Sequence, residues 1–379
     1  MLDKEIYEVP TNRRYWMVRS SGGHYYNHFT SNNCIGIGHL NVLDLESKAA
    51  GEFNSTEVEL KHALRQKGFE KKRFDKYNRQ LKHALRQKGF EKKRFDKYNR
   101  QLKQASKFIH EMAIGDWIIT VGQAGYRYGV ITSKAYIERE PVVLEGEARG
   151  YRGDADMHLR RDVNWGPVIR REHVPYGLAQ ALRARQTVTC LDDHWQALCH
   201  SLYPVFTKQN ELYLSVKIGT DKPINSYSIG TLFTLFSEIE VLAKEFENYF
   251  INKDFNRDEF DAVFKGYLNA GLLTVSNKAQ YQSPGDAWFK FVVDKYPIAL
   301  GIWFASAVLL GNDVIGMRGI ITDETHQKLL DSAFELLLER DVSEELKGLE
   351  LDVPKFRTGE LEVPVERVLP ELRNMNQEA

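Results

Sequence analysis

The chain has 379 residues, and its 52 lysines and arginines are balanced by 52 aspartates and glutamates. With 42% hydrophobic and 27% charged residues it has the composition of an ordinary globular protein, which excludes wholesale disorder, collagen and a polytopic membrane protein. Three cysteines (Cys34, Cys190 and Cys199) are too few for a disulfide framework and favour a reducing, cytoplasmic location. Met1 and Leu2 lead straight into the charged residues Asp3, Lys4 and Glu5, so we expect no secretion signal.

The first 195 residues alternate short apolar runs with Gly-containing turns, which predicts a domain made mostly of strands. A Gly- and aromatic-rich loop is expected over 20–33, a helical insertion from about Ser55 to Met112, and a helix over Val174–Ala184. This order predicts a small, closed or nearly closed β-barrel with a helical insertion. The expected strands are Arg14–Arg19, Cys34–Gly38, Asp116–Val121, Tyr128–Tyr136 and Asp162–Arg170.

Inside the insertion, the 21-residue segment Leu60–Gln80 is repeated without a change as Leu81–Gln101. Each copy holds eight basic and two acidic residues, so the pair carries +12 and the rest of the chain −12. So large a positive charge favours binding to nucleic acid, because the affinity grows with the number of phosphates that are neutralised. The alternative is a charged helix face that contacts only solvent. The expected backbone contacts are Lys61, Arg65, Lys71, Lys72, Arg73, Lys82, Arg86, Lys92, Lys93 and Arg94.

From Ser201 the pattern changes to one alternating strand, Glu211–Ile218, and segments with apolar residues at helical spacing. We therefore expect a second, mainly helical α+β domain over 201–350 and an exposed tail over 351–379. The helical segments are Ser228–Phe250, Arg257–Asn269 and Thr325–Glu339.

The most apolar segment is Pro297–Gly311, whose 15 residues fall short of the roughly 20 that a membrane-spanning helix needs. A buried core helix or hairpin is the favoured interpretation. Membrane insertion after a conformational change is the alternative.

Five segments of the first half carry a resemblance to a known family: RRYWMVR, CIGIG, FIHEMAIGDWIITV, YRYGVITSKAY and RRDVNWGPVIRREHVP. Together they resemble the PUA/EVE-like domain found at the N-terminus of Mrr-type restriction endonucleases and in other bacterial phage-defence proteins. The resemblance covers about half of the chain and implies a small β-barrel over 1–195. The family plan has room for one copy of the 21-residue unit, so the second copy is additional.

The resemblance implies that this domain holds a flipped or modified base in an aromatic pocket. An extruded base is read by stacking between aromatic faces and by hydrogen bonds to its edge. The expected pocket residues are Trp16, Tyr25, Tyr26, Phe29, Trp117, Tyr128 and Trp165, with His24 and Tyr126 as further candidates. Arg127, Arg160 and Arg161 are candidates for contacting phosphates.

Motifs for metal or cofactor chemistry are weak, so we expect no cofactor and no metal. Asp44, Glu46 and Lys48 are the nearest match to a nuclease site, but they lack an earlier strand-borne aspartate. The spacing of Cys190, His194, Cys199 and His200 would suit zinc, although buried cysteines of the core explain it better.

The sequence thus predicts a sensor in phage defence. Its N-terminal domain would bind nucleic acid, DNA more than RNA, or a modified base, and its C-terminal domain would convert binding into toxicity or assembly. Two alternatives stay open: a metal-dependent restriction nuclease, and a sensor of a phage protein that acts on membranes. The chain could also form a homo-oligomer.

Overall fold

The computed structural model describes residues 6–39, 41, 100–144, 154–246, 255–280, 285–293, 298, 301–302, 306, 328, 331–333, 335, 346, 348–354 and 364–365. The chain divides into two compact units. The N-terminal unit comprises Asn12–Trp195 and Gly359–Ala379; the C-terminal unit comprises Gln196–Thr358 and Met1–Thr11. The first strand, β1 (Tyr7–Glu8), therefore belongs to the C-terminal unit.

A curled, open sheet forms the centre of the N-terminal unit. Its order is β3-β7-β5-β4-β2-β8, with β6 beside β7, and only the β2/β4 pair is parallel. The strands are β2 (Tyr15–Val18), β3 (Cys34–Ile37), β4 (Trp117–Val121), β5 (Gly125–Ile131), β6 (Tyr136–Ile137), β7 (Leu159–Arg170) and β8 (Val188–Cys190).

In the described part of this unit, three helices longer than a single 3-10 turn accompany the sheet. They are α1 (Tyr26–Ser31), α2 (helical over 100–106 and ending in the π-helical turn Lys107–Glu111) and α3 (Tyr176–Ala181). Phe29 of α1 and Phe108 of α2 are fully buried against the inner face of the curl. The strands supply alternate residues to that face, as period-2 side chains must: Trp16, Ile35, Ile118 and Val163.

The buried carboxylate of Asp116 joins β2 to β4. Its Oδ2 accepts hydrogen bonds from the Trp16 indole N–H at 2.9 Å and from the Ala113 amide at 3.0 Å. Its Oδ1 accepts from the Arg14 amide at 3.1 Å. A carboxylate without contact with water needs such donors, since an unpaired buried charge is costly. The sequence Gly-Asp-Trp therefore fixes the place of the opening strand.

A second sheet forms the centre of the C-terminal unit, in the order β1-β9-β10-β12-β11 with β13 beside β10. Its remaining elements are α4 (Trp195–Leu202), β9 (Val205–Lys208), β10 (Glu211–Ile218), α5 (Ser226–Glu245), α6 (Arg257–Ala270), β11 (Ser276–Gln280), β12 (Gly285–Val292) and β13 (Leu351–Asp352). The apolar residues of β10 alternate, and Leu212, Leu214 and Val216 pack in one core with Leu235 and Phe236 of α5.

Local signals define the two long helices. The side chains of Asn225 and Asn256 cap the N-termini of α5 and α6 by accepting backbone N–H bonds. Gly271 ends α6 at φ 65°, a left-handed conformation that glycine adopts without strain. The buried Glu240 of α5 accepts bonds from the Thr274 and Val275 amides, so it anchors the turn before β11.

The predicted α+β class is confirmed, and each expected strand of the first half has an observed counterpart. Two details differ. The sheet stays open, with β3 and β8 as its edges among the described strands. The expected loop 20–33 contains α1, because burying Phe29 and His28 favours one and a half turns of helix over an exposed connection.

Several predictions fall on residues outside the described part of the chain. These are the ten phosphate contacts predicted between Lys61 and Arg94, the residues Asp44, Glu46 and Lys48, and most of the tail. Of Pro297–Gly311 the structure describes four residues, of which Ile302 and Ser306 are fully buried.

Candidate functional site

Four of the seven predicted pocket aromatics lie in the core. Trp16 and Phe29 are 0% exposed on the inner face of the sheet, whereas Trp117 and Tyr128, each 1% exposed, lie on its outer face. These rings are covered by protein on both sides, and residues on opposite faces of one sheet cannot line one pocket. The structure therefore places them in packing positions, and three predicted rings remain near the surface: Tyr25, Tyr26 and Trp165.

The two arginines of β7 that were expected to contact phosphates are also buried. Arg161 is 2% exposed and donates four hydrogen bonds of 2.7–3.0 Å to the carbonyls of Phe108, Ile109, Met112 and Ser133. Three of those carbonyls belong to the end of α2, where unpaired acceptors and the helix dipole both favour a cation. Arg161 thus completes a helix end and is not available to a phosphate.

Arg160 is 9% exposed and donates its Nε–H to the Met157 carbonyl at 2.8 Å, and an Nη2–H to the Glu140 carbonyl. It holds the segment before β7 and, like its neighbour, is occupied by backbone acceptors.

Two of the remaining rings rest on glycines of the inner face. A Cβ at Gly122 would come within 2.8 Å of the Tyr26 ring, and a Cβ at Gly129 within 2.7 Å of the Trp165 ring. Both distances are below ordinary contact, so any larger residue would displace the ring. The Trp165 indole N–H donates to the Phe29 carbonyl at 3.0 Å, which fixes its orientation. Both rings are half-buried and keep part of their surface open to solvent.

Between these rings, along the two strands, lie Thr120 of β4 and Arg127 of β5, which face each other as a cross-strand pair. Thr120 is 0% exposed, and among the described residues its hydroxyl has no hydrogen-bond partner. A buried hydroxyl without a partner costs about 1–3 kcal/mol, and each such group in a folded protein calls for an explanation. A ligand that supplies the missing hydrogen-bond partner is one such explanation.

Arg127 is held on one side only. Its Nε–H donates to the Gly166 carbonyl at 3.2 Å, and within the described residues no partner is found for its terminal amino groups. The guanidinium plane is thus oriented while its outer N–H groups stay available, which is how arginine recognises planar acceptors.

A β-bulge creates this geometry. The register of β5 with β7 shifts between Arg127 and Gly129, so that one residue of β5 opposes Gly166 and Pro167 of β7. Proline is tolerated at such a position because no ladder N–H is required there. Bulges re-aim side chains, and here the shift brings the Gly166 carbonyl to Arg127. We call the set Tyr26, Thr120, Arg127 and Trp165 the Thr120–Arg127 site.

The site lies next to a strongly basic end of the sheet, where β2, β4 and β7 end and β5 and β8 begin. The residues at this end, 19–24, 122–124, 170–173 and 183–187, include five arginines and one acidic residue, Glu172, for a net charge of +4. Arg171 also donates to the Gly122 carbonyl at 3.0 Å, directly beneath the Tyr26 ring. The five arginines are Arg19, Arg170, Arg171, Arg183 and Arg185.

Sequence reasoning named three of the four site residues and missed Thr120. The signal was present: in WIITV the alternation of strand side chains places Thr120 on the same face as Ile118, which is a core position. A lone threonine on a core face carries no information about its hydrogen bonds, so the missing partner becomes visible only in the structure.

The residues considered for zinc have other roles. The Cys190 thiol accepts a hydrogen bond from Arg14 at 3.3 Å, and burial raises its pKa. His200 stacks on Trp288, and Cys199 is buried beside it in α4. No group of three or more His, Cys, Asp or Glu side chains suited to a metal ion occurs among the described residues.

Among the described residues, no helix is both long enough and apolar enough to cross a membrane.

No family model, curated protein or solved structure matches this chain.

Proposed function

We propose that the N-terminal unit binds nucleic acid, and that a base lies against Tyr26 and Trp165 at the Thr120–Arg127 site. The observation that carries the proposal is the buried Thr120 hydroxyl, for which the described part of the chain supplies no partner, next to the Arg127 guanidinium, whose outer N–H groups are likewise unbonded there. Half-buried rings offer faces for stacking, which contributes about 1–3 kcal/mol per base.

The basic end supplies the second component of such binding. Phosphate contacts provide most of the affinity and position the strand, while contacts to base edges provide the specificity. Exposed arginines at the end of the sheet suit the first role, and the partly enclosed Thr120–Arg127 site suits the second. The repeated segment, with its charge of +12, would extend the phosphate contacts.

The wider role remains as the resemblance suggests: a PUA/EVE-like sensor of phage defence that engages nucleic acid or a modified base. The C-terminal unit would then convert binding into toxicity or assembly. This part of the proposal is supported by the five sequence segments quoted above and by the curled sheet of the N-terminal unit.

The test is binding of the full chain to short single-stranded and duplex DNA and RNA at two salt concentrations. We expect tight binding that weakens steeply with salt, and quenching of tryptophan fluorescence. Trp165→Ala should weaken binding about tenfold or more, because one stacking face is lost. Trp288→Phe, a change to a half-buried tryptophan of the C-terminal unit, is the matched control and should leave binding unchanged. Absence of salt-sensitive binding to every nucleic acid would refute the proposal.

A further inference from the structure

The free hydrogen-bonding edge of Arg127 in the Thr120–Arg127 site can only donate, and this restricts which bases the site can bind. The Nε–H of Arg127 donates to the Gly166 carbonyl, so a ligand contacts the edge formed by the two terminal amino groups. That edge carries donors only, because a guanidinium has no acceptor. The ligand edge that fits it has two adjacent acceptors in the plane of a ring.

Guanine has such an edge, with O6 and N7 side by side, and a bidentate contact from arginine to these two atoms is the commonest specific one. Cytosine has another in N3 and O2 when it is unpaired. Adenine places the N6 amino donor beside N7, and thymine and uracil alternate acceptor and donor. A donor of the base would meet a donor of Arg127, and the contact would be lost.

Thr120 adds a hydroxyl that can act as donor or as acceptor. Its hydroxyl both donates and accepts, and it lies directly opposite Arg127 on the neighbouring strand. It can therefore complete the contact with an acceptor beside the guanidinium. Its side chain is 0% exposed, so a ligand reaches the hydroxyl only when neighbouring side chains shift.

We infer that the Thr120–Arg127 site takes a base that presents two adjacent ring acceptors, guanine or an unpaired cytosine, in preference to adenine, thymine and uracil. This inference rests on the proposed nucleic-acid binding and adds the chemistry of the edge that is read.

The experiment uses the full chain and nine-residue thymidine strands that carry one central dG, dC, dA or dT. The strand with dG or dC should bind about tenfold more tightly than those with dA or dT. If dG is preferred, 7-deazaguanine at the same place, which lacks the N7 acceptor, should remove most of the advantage. If dC is preferred, 3-deazacytosine should do so. Because these changes are made in the ligand, they do not depend on the folding of a variant.

Two substitutions assign the preference to the site. Arg127→Lys keeps the charge but loses the planar fork, so the ratio of affinities for the four strands should fall to near one while the salt dependence stays. Thr120→Val removes the hydroxyl at nearly constant volume. It should weaken binding of the preferred oligonucleotide and leave binding of the others unchanged. Arg139→Lys, an exposed arginine outside the site, is the control and should leave the ratios unchanged.

The outcomes separate the two proposals. Salt-steep binding that needs Trp165 but is equal for all four strands would overturn the base preference and leave the proposed function standing. Binding to none of the strands, nor to any duplex or RNA, would refute the proposed function and the preference with it. A preference that survives Arg127→Lys would also overturn the inference, because the fork would not be its cause.

Discussion

His200 and Trp288 stack face to face in the C-terminal unit, with ring centroids 4.4 Å apart and planes 6° from parallel. The imidazole is buried, and its Nδ1 lies 2.8 Å from the hydroxyl of Ser215, which donates in turn to the Tyr203 carbonyl at 2.6 Å. Because the Ser215 proton is used there, Nδ1 carries the histidine proton and donates to Ser215. The arrangement suits a neutral ring.

The burial of His200 makes the stability of the C-terminal unit depend on pH. Burial, helped by the charge of Lys278, holds the pKa of His200 well below its ordinary value of 6.5. The unfolded chain therefore binds a proton more readily than the folded one, so the stabilisation is present above about pH 6.5 and is lost as the pH falls below it. The free energy of unfolding should fall with a slope approaching about 1.4 kcal/mol per pH unit.

Urea titrations at pH 7.5 and pH 5.5 measure the decrease in the free energy of unfolding. In His200→Phe, which keeps an aromatic ring against Trp288, the difference between the two values should shrink. His110→Phe, at an exposed histidine, should retain the difference of the unaltered chain. Equal pH dependence of His200→Phe and the unaltered chain would contradict the assignment.

Gly129→Ala should destabilise the N-terminal unit and displace Trp165. The added Cβ would lie 2.6 Å from the Val163 side chain and 2.7 Å from the Trp165 ring, which leaves no room on a packed face. Overpacking of this kind costs about 1–3 kcal/mol. Thermal unfolding and the tryptophan emission maximum measure the two effects. Gly177→Ala, in α3 with open space around the position, should be neutral or stabilising by up to about 1 kcal/mol.

Arg161→Lys should destabilise the fold without weakening phosphate contacts. A lysine ammonium has three donors in a compact group, so it cannot reach the four carbonyls that the guanidinium spans. A loss of about 3–5 kcal/mol is expected for a buried, fully bonded charge that is disturbed. If Arg161→Lys instead left stability intact and lowered nucleic-acid affinity, Arg161 would be a ligand-binding residue after all.

Deleting one copy of the 21-residue repeat should flatten the salt dependence of binding. The copies are identical, so removal of Leu81–Gln101 yields the same sequence as removal of Leu60–Gln80, with a charge lower by six. The logarithmic slope of affinity against salt follows the number of phosphates neutralised. The midpoint of thermal unfolding is the control and should not change. An unchanged slope would mean that the additional copy touches no phosphate.

Much of the fold follows from the local pattern of the sequence. Alternation predicts β10 from Glu211 to Ile218 with the bounds observed, and helical spacing predicts α6 to within one residue at its end. Helix α1 was missed because its six residues, YNHFTS, have no helical periodicity of their own. It forms because Phe29 gains burial in the core, a tertiary effect that a short window does not contain.

The candidate site was harder to predict for a similar reason. Tyr26 and Trp165 were recognised as aromatic candidates, but Trp16 resembled them in the sequence equally well. Trp16 is instead held by a hydrogen bond to Asp116, one hundred positions away in the chain. Contacts between such distant residues decide which aromatic ring packs inside and which one stays open to a ligand.

The short strand β1 has a practical consequence for anyone who wishes to separate the two halves of this protein. Tyr7 and Glu8 pair with Phe206 and Thr207, although almost the whole N-terminal unit lies between them in the sequence. A recombinant fragment that starts at Gln196 would expose the unpaired backbone of β9 at the edge of the sheet. Exposed edge strands pair with other chains, so the fragment would tend to aggregate. Moving residues 6–11 to the front of the second half, through a short Gly-Ser linker, would give the piece its missing partner.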